Sequence, residues 1–363
     1  MNAEKLHAIA LAIENDLSKS RILGLLQELT SALQNMVNQP NQPQFQKAFS
    51  DARENLRNAL LESKIKSFSP AWKQFVNELG GSDLLGYPLW LSIESVFSNN
   101  QITPQIALDD IQSIFHNVEK FSQSVEKVVE SFGDLHIESE ELEPGECEIG
   151  ILIPRSFVDN KLSKFGAEID QLNRILGVFS ELVTGERPGF EIGAISSSSL
   201  SIFLNAAPGI CACIALSIER IVALYKSLLE IKKLRSDLAG QGLPEIALKG
   251  VEDHAENVMD KGISELVGEL VDKFLSGTDE GRANEIKIEL RYALKKMAAR
   301  IDRGFNIEVR MAQPEKVNSE EPGKSAGDLA SYETIRDATE NMRFINSTGT
   351  PILQLPDNGD TEV

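Results

Sequence analysis

Six glutamates crowd one short stretch of the chain: Glu138, Glu140, Glu141, Glu143, Glu146 and Glu148. Carboxylates that face each other across a hairpin hold a hard cation through oxygen ligands. His136 falls on the same polar face as Glu138, and a histidine–carboxylate pair does general acid–base work. The spacing matches no EF-hand loop, and charges along a strand also keep sheet edges from associating. The acidic hairpin 138–148 is therefore read first as a solvated edge, and second as the cation site of a metal-dependent enzyme.

Other chemistry-bearing residues are weaker candidates. Ser196-Ser197-Ser198-Ser199 supplies hydroxyls, but a nucleophilic serine needs a base and an oxyanion hole, and GxSxG is absent. These serines read as a bulge or a polar break between two strands. Asn318-Ser319-Glu320-Glu321-Pro322-Gly323-Lys324-Ser325 ends like a phosphate-binding loop. It lacks the first glycine, and Glu320 and Glu321 would repel the phosphates. Lys287, Arg291, Lys295 and Arg300 run along one helix with Arg303 beyond it, as a solvated face or a contact for an acidic partner or a phosphate. His7, His116, His136 and His254 are scattered without paired ligand spacing. Cys147, Cys211 and Cys213 form no CxxC and read as reduced, structural thiols. No catalytic, cofactor-binding or metal-ligating set is assigned, and no cofactor is expected.

The elements that would position these residues are organised around Phe190–Leu238. Phe190, Ile192, Ala194, Leu200, Ile202 and Leu204 alternate as one long strand. Pro208-Gly209 ends the pairing and opens a helix. Ile210, Ile214, Ile218, Ile221, Leu224, Leu228, Ile231, Leu234 and Leu238 then recur every three or four residues. Leu200–Ile218 holds no charge, which is close to a membrane-spanning length. Its strand-like start and its Ser201, Asn205, Pro208 and Ser217 favour a buried strand–turn–helix over insertion.

The first 132 residues read as an all-helical domain. One amphipathic helix covers 4–37, followed by helices at Phe45–Ser63, after Ser69-Pro70, at Tyr87–Phe97 and at Pro104–Phe132. At Asp134 the period switches to two. Leu135–Ile137 and Cys147–Ile153 make a hairpin around Glu143-Pro144-Gly145-Glu146, a type II turn sequence. Val158–Val183 follows as a helix with an a/d seam like that of a coiled coil. A strand, a crossover of some thirty residues and a further strand fit a parallel pairing. Helices at Glu245–Leu275 and Arg282–Ile301 and a fourth strand at Phe305–Met311 complete a core domain, 133–312. Residues 313–363 hold ten acids and four bases and read as a flexible tail. Two apolar islands interrupt it: Leu329–Met342 as a short helix and Pro351–Pro356 as an extended segment. The fold class is α+β and helix-rich, with a small mixed four-stranded sheet packed by long helices and a disordered acidic tail.

The net charge of −19 disfavours a nucleic-acid groove, which needs clustered lysine and arginine. The N-terminus has no basic leader with a cleavage site, so a cytoplasmic location is expected. The resulting expectation is a non-enzymatic protein–protein interaction or scaffold protein, self-associating as a homo-oligomer through 208–238. The alternatives are a membrane-associated effector inserting 200–218 and a metal-dependent enzyme using 138–148.

Overall fold

The computed structural model describes residues 3–196, 200–240, 245–275, 280–315, 322–340, 342 and 351–354. The chain divides into two compact units, Met1–Glu141 and Leu142–Val363.

Unit 1 is helical: α1 Ala3–Lys19, α2 Ile22–Asn38, α3 Pro43–Glu62, α4 Pro70–Glu78, α5 Gly86–Asn99 and α6 Pro104–Asp134, with 3₁₀ turns at Lys64–Ser67 and Ser82–Leu84. The single helix expected over 4–37 is two. Arg21 adopts a left-handed conformation, φ 50°, and breaks it. The apolar stripe carries the reason: Leu17 to Ile22 is a step of five, and no single helix face accommodates that step. Ile9, Ile13, Leu26, Leu29, Leu56, Leu89 and Ile111 form a fully buried core. The Ser69 hydroxyl caps α4 by accepting from the Trp72 amide at 3.3 Å, with Pro70 in the first turn. Buried Asp16 accepts from the Ser63 hydroxyl and the Lys64 amide, both at 2.7 Å, and so fixes α1 to the turn after α3.

Unit 2 contains β1 Cys147–Leu152, α7 Leu162–Thr184, β2 Glu191–Ser196, β3 Ser201–Asn205, α8 Pro208–Gly240, α9 Glu245–Phe274, α10 Glu280–Asp302, β4 Asn306–Met311 and α11 Pro322–Glu340. The sheet order is β2-β3-β1-β4, and every pairing is antiparallel, not mixed.

Two corrections follow from this topology. The stretch read as one long strand is a hairpin, β2 and β3, with Ile192 opposite Leu204, Ile195 opposite Ile202 and an irregularity at Gly193. Strand β2 thus runs in the same direction as β1, as the crossover requires, but β3 lies between them. The hairpin expected across 135–153 is absent. Helix α6 runs on to Asp134, and Leu135 caps it with most of its surface exposed. The Glu143–Glu146 turn does form: the Glu146 amide donates to the Glu143 carbonyl at 2.8 Å, and Gly145 takes φ 86°, which suits glycine. It delivers the chain into β1, whose partners are β3 and the distant β4.

Helix α8 is the centre of unit 2. Ile210, Ile214, Ile218, Ile221, Tyr225 and Leu228 are buried, and Leu200 and Leu224 partly so. Helices α7, α9, α10 and α11 pack on it. Both islands of the acidic C-terminal segment take form: Ile335, Ala338 and Met342 are buried along and after α11, and so are Ile352 and Leu353.

Candidate functional site

The glutamates of the acidic stretch do not converge. Glu138, Glu140 and Glu141 belong to unit 1, and Glu143, Glu146 and Glu148 to unit 2. Glu140 pairs with Lys5 at 3.6 Å. Glu146 accepts from the Glu143 amide at 2.9 Å. Glu148 is buried on β1 and binds Arg310 on β4 at 2.5 Å, directly across the pair. His136 is exposed in a left-handed turn, φ 54°, away from any strand. Among the described residues no three His, Cys, Asp or Glu side chains are grouped to hold a metal ion.

The other candidates are also dispersed. Ser196 ends β2 opposite Ser201, while Ser197–Ser199 lie outside the described residues. Asn318–Glu321 lie outside them too, and Pro322–Ser325 begin α11. The basic run on α10 separates by position. Lys287 and Arg291 are exposed, and Lys295 pairs with Asp260 on α9 at 2.7 Å. Arg300 is buried against Glu168 on α7, donating at 2.6 and 3.0 Å. Arg303 donates to the Ala299 carbonyl at 2.7 Å. His7 meets the Ile137 carbonyl at 2.7 Å, His116 lies 3.7 Å from Glu119, and His254 is exposed.

The three cysteines are buried and free. The neighbouring Cys147 side chain, and then burial, push the Cys211 thiol well up. Burial does the same to Cys213. Such thiols are poor nucleophiles.

Three polar clusters that spacing alone did not indicate hold unit 2 together. The first is the Arg300–Glu168 pair. In the second, the Asp302 carboxylate accepts from the Tyr225 hydroxyl at 2.6 Å and from the Ile352 and Leu353 amides at 2.7 and 2.8 Å. The third centres on Glu181, near the end of α7, which binds Arg187 at 2.5 Å and Arg282 at 2.8 Å; Arg187 also binds Glu289. Burial alone would raise the Glu181 carboxyl, but hydrogen bonds from Arg282 and Arg187 outweigh it and hold the carboxyl below its ordinary value. The available signal was a charged residue within an apolar seam, but nothing in its spacing names a partner a hundred residues away.

Concavities in each unit and one apolar edge lie apart from these clusters. In unit 1 an open apolar groove of about 630 Å³ lies between α1, α6 and the α4 end, walled by Leu6, Phe75, Leu79, Phe121 and Val128. The Phe121 ring packs on the Gly81 backbone, where a Cβ would sit 2.6 Å from it. In unit 2 a pocket of about 490 Å³ lies at the β3–α8 junction. The edge is β2. Ile192 and Ile195 lie opposite the core residues Leu204 and Ile202, yet are 62% and 58% exposed. The apolar sheet face therefore extends one strand beyond its helical cover.

Helix α8 turns most of its described apolar side chains into the core. Leu228 is fully buried, while Leu229 and Leu234 are exposed. The helix Pro208–Ile231 is long and apolar enough to cross a membrane, and 61% of its most apolar window is buried within the fold. No protein-family model matches the chain, and no curated protein or solved structure matches it.

Proposed function

We propose that this chain is a non-enzymatic interaction protein that self-associates through β2. The supporting observation is the exposed pair Ile192 and Ile195 on an edge strand. An open edge offers backbone groups to a further strand, and exposed apolar side chains add area to bury. The strand is self-complementary. Pairing Glu191–Ser196 antiparallel with a second copy places Ile192 opposite Ile195 and Glu191 opposite Ser196, so no like charges meet. That arrangement is isologous and closes as a dimer. It moves the self-association surface expected at 208–238 to β2, because α9, α10 and α11 already occupy α8. A cytoplasmic location goes with this reading.

Light scattering on detergent-free protein should give about twice the 40.0 kDa chain mass. Ile192→Lys with Ile195→Lys should return it to 40.0 kDa with unchanged circular dichroism. A wild-type monomer, or a double variant of unchanged mass, defeats the reading. The second reading, insertion of 200–218 into a membrane, draws on the length and apolarity of Pro208–Ile231. Recovery of the protein only from the membrane fraction would favour it.

A further inference from the structure

The pocket at the β3–α8 junction combines three features. One wall is the N-terminus of α8, a helix of 33 residues. Its first backbone bond is donated by the Cys211 amide to the Ala207 carbonyl at 3.1 Å. The Gly209 and Ile210 amides precede that bond, where a helix leaves its donors to outside acceptors and presents the positive end of its dipole. A second wall contains Ser180 of α7. This residue is fully buried, and among the described residues its hydroxyl is the one buried side-chain oxygen or nitrogen without a hydrogen-bond partner. The third feature is the charge of the lining: its charged residues are both acids, Glu146 and Glu191. Glu146 is engaged by the Glu143 amide, and Glu191 is exposed at the start of β2. Phe190, Pro188 and Ile210 supply apolar surface between them.

A bare anion suits the helix end but is repelled by the acids, and a bare cation suits the acids but is repelled by the helix end. A zwitterion satisfies both. We propose that this pocket binds a free α-amino acid with an apolar side chain. Its carboxylate lies on the α8 N-terminus with Ser180, its ammonium faces Glu191, and its side chain lies against Phe190 and Pro188.

The test is calorimetric titration of the full chain with L-alanine, L-valine, L-leucine and L-methionine. Sodium acetate, ethylamine and inorganic phosphate serve as single-charge and dianion controls. At least one amino acid should saturate, with acetate and ethylamine weaker by about tenfold or more. Glu191→Gln and Ser180→Ala should each weaken that amino acid while circular dichroism is unchanged. Saturation by none of the four, or equal binding of acetate or phosphate, overturns the proposal. So does a Ser180→Ala variant that only melts higher and titrates as wild type. The dimer through β2 is read from mass, so either idea can fail without the other.

Discussion

The two units satisfy their buried carboxylates in different ways. In unit 1 the buried carboxylate Asp16 is satisfied by neutral donors, a serine hydroxyl and a backbone amide, both from the turn after α3. In unit 2 the buried carboxylates Glu148, Glu168 and Glu181 face arginines, and Asp302 joins a tyrosine to the C-terminal segment. The difference follows from the helices. Those of unit 1 are amphipathic, so each apolar stripe already fixes which face turns inward. Helix α8 is apolar on nearly every side at its start, and hydrophobic burial is not directional. Packing of unequal side chains resists rotation of such a helix, and a polar anchor adds a directional restraint. Tyr225 on Asp302 supplies that anchor, while Arg300–Glu168 registers α10 on α7 and Arg310–Glu148 registers β4 on β1.

The strongest way to break this comparison is Arg300→Ala. It leaves Glu168 buried without its partner and should destabilise unit 2 by about 3–5 kcal/mol. Arg300→Met combined with Glu168→Leu should recover most of that loss, since an apolar pair of similar volume avoids the buried charges. The readouts separate cleanly because both tryptophans, Trp72 and Trp90, lie in unit 1. Tryptophan fluorescence should keep its denaturation midpoint while far-ultraviolet circular dichroism loses stability. A fluorescence midpoint that falls with Arg300→Ala would show the two units unfolding as one.

The C-terminal segment sharpens the same contrast at a smaller scale. Composition alone predicts that removing 346–363 leaves stability unchanged. Buried Ile352 and Leu353, with both amides on Asp302, predict a loss. Leu353→Ala should cost about 2 kcal/mol, the low end of the range for a buried leucine. Deleting 346–363 should cost more, since it also leaves Asp302 with Tyr225 as its remaining partner among these contacts. Both effects should appear in the dichroism transition and leave the fluorescence transition in place.

Much of this architecture is legible in the sequence. Ser69-Pro70 marked a helix start, the Glu143–Glu146 turn was readable from Pro144-Gly145, and the stripe from Ile210 to Leu228 marked the central helix. Strand pairing was not legible, and the reason is physical. Period-two alternation reports which face a residue occupies but not where the chain reverses, so the β2–β3 hairpin and one long strand give the same pattern. Alternation over Leu135–Ile137 was too short to outweigh the end of α6. The candidate sites depended on the same missing information. Glutamates close in sequence fell into different units, and Arg300, read as part of a surface run, is buried on Glu168 across 132 residues. The β2 edge was not legible: Ile192 and Ile195 share a face only through the irregularity at Gly193, and their exposure depends on where the helical cover stops.

The smallest expected effect is in the acid limb of the pH profile. Glu181 has its carboxyl held below the ordinary value by Arg282 and Arg187, against the opposing pull of burial. A carboxyl with a lowered folded-state pKa binds fewer protons folded than unfolded at mildly acid pH. Its contribution to stability is therefore complete above the unfolded value of about 4.3, and is lost as pH falls through the lower folded value. Both arginines are more than a third exposed, so water and salt screen the pairing, and its loss should amount to about 1 kcal/mol or less. Glu181→Gln should lower unit 2 stability at pH 7 by that small amount and flatten the dichroism midpoint between pH 5 and pH 3 (about the carboxylate range). Fluorescence from unit 1 should retain its own acid dependence. If Glu181→Gln leaves the acid limb of unit 2 unchanged, the cluster around Glu181 contributes packing alone, and the ionic character of unit 2 rests on the buried Arg300–Glu168 and Arg310–Glu148 pairs.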